Sequence, residues 1–230
     1  MTPAVCFDAV VKRYGSREVL SGLSFEIQHR EIVGLLGRSG IGKTTLLKLV
    51  AGLEKPTRGK VRVQARRIGY VFQEPRLLPW KTTLENVTLP LRAAGLQLNE
   101  AVERATRLLA AMGLSEFLQS YPSQLSGGMC QRVSLARAFT VGPDILLLDE
   151  PFSSLDIEMK SELQAMLVER LAVQPATVLY VSHAPEEVRQ IADRLLTLTA
   201  AGTLVEASLQ NTPRPDGKPE RSGVRASCSA

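Results

Sequence analysis

Gly37-Arg38-Ser39-Gly40-Ile41-Gly42-Lys43-Thr44-Thr45 follows the pattern G-x-x-x-x-G-K-[ST], a loop that wraps nucleotide phosphates. The run Ile32-Val33-Gly34-Leu35-Leu36 precedes it and predicts a buried strand, while Leu46, Leu47, Leu49 and Val50 follow at helical spacing. Gly37, Gly40 and Gly42 let the backbone turn tightly and bring its N–H groups to phosphate oxygens. The helix that opens there adds the positive end of its dipole. Lys43 supplies a full charge for the β- and γ-phosphates, and the Thr44 hydroxyl suits Mg²⁺. A glycine-rich turn before an ordinary helix would share the glycines, but not the strand, lysine and hydroxyl in this order.

Working outward, 230 residues with 44% hydrophobic content suit one large α/β domain or a core with an inserted lobe. No apolar run approaches the roughly 18 residues a membrane span needs. Met1 to Val11 lacks the layout of a signal peptide, so a cytoplasmic location is expected. Cys6, Cys130 and Cys228 are odd in number and widely scattered, so neither a disulfide framework nor a zinc site is expected. The net charge of +5 is spread without a single basic block, which reads as a solvated mixed surface, and no nucleic-acid partner is expected.

Val5 to Val11 predicts a first strand, with Tyr14 in a turn-like segment after it. Leu23, Phe25 and Ile27 alternate with polar residues as a half-buried strand does, and His29 falls in the following turn. Gly52 and Pro56 end the helix after the loop, Val61 and Val63 mark a short strand, and Ile68 to Phe72 another that runs into Gln73. From about 76 to 140 strand signals vanish. Leu84–Leu91, Ala101–Met112 and Met129–Phe139 read as helices of an inserted subdomain. Ile145-Leu146-Leu147-Leu148-Asp149-Glu150 is a buried strand carrying two carboxylates at its C-terminal end, where α/β sheets bind ligands. Met159, Leu163, Met166, Leu167 and Leu171 form the core stripe of a helix, and Thr177–Val181 and Leu195–Leu198 are further strands, the former ending at Ser182-His183. Residues 211–230 have almost no apolar content and are expected to form a disordered tail after a domain spanning 1–210.

Asp149 and Glu150 complement the phosphate loop: one carboxylate to hold Mg²⁺, the next to activate a water. Alone, they would also fit, less well, a strand-capping acidic pair facing solvent. Ser126-Gly127-Gly128 opens a helix and offers a second anion-binding terminus. One triphosphate does not need two such termini from one chain, whereas a second copy of the chain would supply the other.

These segments together resemble the ATP-binding-cassette family over nearly the whole chain. The likeness matches Tyr14 to the aromatic that stacks on adenine and the residues from Gly37 to Thr45 to the Walker A loop. Gln73 corresponds to the glutamine that senses Mg²⁺ and the γ-phosphate, and Ser126, Gly127 and Gly128 to the signature motif. Asp149 and Glu150 fall on Walker B and the general base, Ser153 to Asp156 on the loop that crosses to a partner subunit, and His183 on the switch histidine. Met129 and Cys130 depart from the usual glutamine after the second glycine, and Ala184-Pro185 from the acidic residue often found after the histidine.

The resemblance implies an α/β fold: a P-loop NTPase core of mixed sheet and flanking helices, with an antiparallel β portion and an α-helical subdomain. It implies ATP and Mg²⁺ as cofactors, with Lys43, Gln73, Glu150 and His183 in catalysis and Thr44, Gln73 and Asp149 around the metal. A homodimer is implied, bound to membrane permease subunits on the cytoplasmic face of a bacterial inner membrane and served by a solute-binding protein. Leu77-Leu78-Pro79-Trp80 resembles importers of nitrate, sulfonates and taurine; the family likeness places Gln73 to Trp80 in the groove for the permease, where Trp80 either lines the groove or packs inside the helical lobe. The rival readings are a soluble cassette ATPase acting on ribosomes or DNA, and a nucleotide-binding subunit without turnover.

Overall fold

Strand β1 (Val5–Tyr14) pairs antiparallel with β2 (Arg17–Ile27) on one side and β4 (Arg58–Val63) on the other. The computed structural model describes residues 2–207, in two compact units: the residues up to 65 with those from 177 on, and Arg66–Ala176. The expected tail lies outside the described residues.

In the first unit, Phe7 and Phe25 face each other across the hairpin and stack with centroids 4.5 Å apart. A bulge interrupts β1 between Phe7 and Val10, where Ala9 turns to φ 47°. Tyr14, expected in a turn, is instead the last residue of β1, opposite Arg17. Cross-strand pairing extends the strand past the apolar residues that signal it.

The same unit holds β3 (Ile32–Leu36) between β7 (Thr177–Val181) and β8 (Arg194–Leu198), parallel to both, with β9 (Leu204–Ala207) antiparallel at the edge of β8. β7 is buried along its length, as parallel strands covered on both faces are. Helix α1 (Lys43–Val50) buries Leu46, Leu47, Leu49 and Val50, the stripe that the sequence predicts. A short helix, α6 (Pro185–Arg189), closes over β3 so tightly that a Cβ on Gly34 would stand 2.0 Å from Val188 Cγ1.

The second unit combines β5 (Ile68–Val71), parallel to β6 (Ile145–Asp149), with α2 (Thr83–Ala93), α3 (Leu98–Ala111), α4 (Gly127–Thr140) and α5 (Ile157–Val173). Thr82 and Glu85 close a reciprocal capping box at the start of α2. α4 lies against β5, since a Cβ on Gly69 would meet the Ala138 carbonyl oxygen at 2.7 Å. Trp80 is 68% exposed and does not pack inside the helical lobe.

Candidate functional site

The sequence-predicted residues fall in both units. Tyr14, the loop from Gly37 to Thr45, and His183 belong to the first; Gln73, Ser126–Gly128, Asp149 and Glu150 to the second.

The phosphate loop leaves β3 and enters α1 through Gly42, which caps the helix at φ 119°. A Cβ there would stand 2.5 Å from Val19 Cγ1, so both the backbone angle and the neighbour demand glycine. No side chain caps α1 and no acidic residue lies in its first turn. Its N-terminal N–H groups and positive dipole end are therefore offered to an anion. Lys43 is 5% exposed, and its ammonium donates to the carbonyls of Gly37 at 2.8 Å and Arg38 at 3.1 Å. The charge is thus held across the loop.

The β1–β2 hairpin grips this loop at two points. Arg17 Nη2 donates to the Gly40 carbonyl at 3.3 Å, and the Tyr14 and Thr45 hydroxyls lie 3.5 Å apart. Tyr14 also donates to the Glu54 carboxylate, which accepts from Lys12 at 3.0 Å and stands 3.5 Å from Lys48. That phenol bond, followed by the two lysines, holds the Glu54 carboxyl below its usual range. The Lys12 ammonium sits 4.9 Å from the centre of the Tyr14 ring. The half-exposed ring is fixed at its polar end.

His183 follows β7 on an exposed loop. Ser182 ties that loop down, its hydroxyl donating to Glu187 at 2.9 Å and accepting from the Ala184 N–H at 3.0 Å. Pro185 stands at the first turn of α6, where its missing N–H costs nothing.

In the second unit, Asp149 ends β6 at 7% exposure and accepts from the Tyr70 hydroxyl at 3.2 Å. Burial, then the Asp149 charge and this bond, push the Tyr70 phenol well above its usual range. Glu150 follows at φ 46°, a left-handed angle that a non-glycine residue adopts at a cost of about 1–3 kcal/mol. Gln73 Nε2 donates to Ser153 Oγ at 3.3 Å, bringing the glutamine to the segment just after the carboxylates.

Ser126 caps α4, accepting from the Met129 N–H at 3.2 Å, which leaves its own hydroxyl proton to donate. Asp156 caps α5 in the same way, accepting from the Met159 N–H at 2.9 Å. The two helix starts meet through Met159, whose sulfur would stand 2.5 Å from a Cβ on Gly128, whereas Gly127 is open. Cys130 is half-buried with its thiol 3.6 Å from the Pro122 carbonyl, and burial pushes its pKa up. It packs as a small apolar residue.

A family profile described as ABC transporter matches residues 20–153. The chain belongs to the ABC transporter family. The "Aliphatic sulfonates import ATP-binding protein SsuB" of Corynebacterium glutamicum is 43% identical over 198 residues, 86% of this chain and 81% of that protein. Its namesake in Granulibacter bethesdensis is 42% identical over 214 residues, 93% of this chain and 87% of that one. The solved structure "Dimeric Structure of MJ0796, a Bacterial ABC Transporter Cassette" matches with a TM-score of 0.80 at 31% identity, covering 90% of this chain and all of that one. The ABC cassette fold expected from the sequence is the fold observed.

The oxygen donors fit Mg²⁺. Among the described residues no group of three or more His, Cys, Asp or Glu side chains is placed to hold a metal ion. Within the second unit, the buried Asp149 carboxylate and the Gln73 amide oxygen are donors of the kind Mg²⁺ takes, an ion that draws most of its octahedron from phosphates and water. Five supporting residues escaped the sequence reading: Lys12, Arg17, Glu54, Tyr70 and Met159. Only the capping Asp156 ahead of Met159 carried a local signal; the others are set by contacts between distant segments.

Proposed function

We propose that this chain is the ATP-binding and ATP-hydrolysing subunit of a bacterial importer, driving solute through a separate membrane permease. The observation that carries it is the uncapped start of α1 beside a buried Lys43, on a chain of the ABC transporter family. The residues to about 210 act as one ATP-binding domain, with 76–140 as its helical subdomain.

The loop N–H groups and Lys43 bind the β- and γ-phosphates, and Tyr14 stacks on the adenine. Thr44, Gln73 and Asp149 would hold Mg²⁺, which when bound would neutralise phosphate charge. Glu150 takes the proton of the attacking water, and Gln73 and His183 orient groups at the γ-phosphate. Ser126, Gly127 and Gly128 bind the triphosphate held by a second copy, whose signature returns the contact. ATP then joins two copies, and hydrolysis releases them. The post-hydrolysis MJ0796 cassette, described as dimeric and bound to ADP and Pi, has a TM-score of 0.79 to this chain at 30% identity and supports that reading.

No helix among the described residues is long and apolar enough to cross a membrane. The relatives named as import ATP-binding proteins support a transport path supplied by other polypeptides, with this chain peripheral at the cytoplasmic face and a solute-binding protein engaged through the permease. The relatives named for aliphatic sulfonates support a cargo of the sulfonate, taurine or nitrate class. Purification of the tagged chain from solubilised membranes tests this: a co-purifying integral membrane protein and ATPase activity are expected. Recovery with ribosomes or DNA and no membrane protein would overturn it.

A further inference from the structure

A cleft of about 440 Å³ opens in the second unit where the C-terminal ends of α4 and α5 meet α3. Three arginines line it, Arg104 and Arg107 from α3 and Arg170 from α5, against one carboxylate, Glu100. Arg107 pairs with Glu103 at 3.5 Å. Arg104 and Arg170 have no carboxylate within ion-pair distance among the described residues. A second observation points to a ligand: Thr140 lines the same cleft, is 1% exposed, and its hydroxyl has no hydrogen-bond partner. A buried hydroxyl left unmatched costs about 1–3 kcal/mol, so an acceptor is owed there.

Two of the lining donors, Arg104 and Gln174, approach one point. The position a Cβ would take on Gly142 lies 3.3 Å from Gln174 Nε2, 3.4 Å from Arg104 Nη2 and 3.6 Å from Arg67 Nη1. Arg67 donates to the Val141 carbonyl at 2.9 Å and Gln174 to that of Phe139 at 3.4 Å, so those two serve the end of α4. That role accounts for neither Arg104, Arg170 nor the Thr140 hydroxyl.

We propose that this cleft binds a small oxyanion, a phosphate, sulfate, sulfonate or carboxylate group. The guanidinium forks of Arg104 and Arg170 hold its oxygens, and the Thr140 hydroxyl donates to it. Glu100 at the rim disfavours large acidic ligands over a compact anion.

The test is calorimetric titration of the full-length chain with sodium sulfate against sodium chloride at matched ionic strength, followed by phosphate, methanesulfonate and acetate to rank the class. Saturable binding is expected to persist in Lys43→Ala, where the phosphate loop no longer contributes, which separates the cleft from the loop. Arg104→Gln with Arg170→Gln should weaken it at least ten-fold. Thr140→Val should weaken it about three-fold without lowering the melting temperature of the anion-free protein, since it removes an unmatched hydroxyl. No saturable heat beyond chloride would overturn the proposal. So would heat that disappears in Lys43→Ala but survives the arginine and Thr140 substitutions.

Discussion

The Tyr14 hydroxyl donates to the Glu54 carboxylate across 40 residues of sequence, and two lysines hold Glu54 in place. The proposed stacking of a base on Tyr14 gains from a ring held before the base arrives, and this contact holds the ring at its polar end.

Tyr14→Ala removes the platform, and base–aromatic stacking is worth about 1–3 kcal/mol. The KM for ATP should rise roughly ten-fold or more. Tyr14→Phe and Glu54→Gln keep the ring and loosen its anchor, and should each raise KM about two- to three-fold with kcat nearly unchanged. Steady-state kinetics with ATP check this, and an unchanged KM in Tyr14→Ala removes the residue from the site.

Lys43→Ala strips the phosphate loop of its one buried ammonium. Nucleotide affinity should fall beyond detection in equilibrium filtration with labelled ATP; retained affinity would contradict the loop's assignment.

Gly42→Ala forces a side chain onto a left-handed angle and against Val19. The angle alone costs about 1–2 kcal/mol, and the 2.5 Å approach adds to it. Thermal unfolding should show a fall of several degrees together with weaker ATP binding.

The strand Ile32–Leu36, the loop and the helix after it were legible because one local pattern, an apolar run broken by spaced glycines, fixes all three. The same holds for Ile145–Asp149 with its terminal carboxylate. Where pairing runs beyond the apolar alternation that signals a strand, the sequence was mute. Tyr14 belongs to a strand because Arg17 pairs with it, and β9 is a four-residue edge strand with two polar or small members. α6 is only five residues long and opens with a proline. Trp80 could not be placed, since whether a lone aromatic is covered depends on which helix passes over it. Glu54 carries no local signal, and Tyr70 reads as an ordinary strand residue, until folding sets each beside its partner.

Tyr70→Phe deletes a hydrogen bond to a buried carboxylate, worth about 1.5–3 kcal/mol, and should lower stability accordingly at neutral pH. The pH dependence has a definite sign. The folded pKa of Tyr70 is raised, so its contribution is complete below the ordinary phenol value of about 10 and is lost as pH climbs from there toward the folded value. The stability gap between wild type and Tyr70→Phe should therefore narrow above about pH 10. Denaturant melts at pH 7 and pH 10.5 measure it; a gap that widens would be inconsistent with a neutral, Asp149-bound phenol.

The most direct test of the account is the oligomeric state of Glu150→Gln measured by light scattering with and without ATP and Mg²⁺. Removing the base while keeping the side chain's shape should leave binding intact and block release. The account predicts a monomer without nucleotide and a stable dimer with it. A Glu150→Gln protein that binds ATP yet stays monomeric, or hydrolyses it at the wild-type rate, would contradict the claim that two copies close on ATP and that Glu150 opens them.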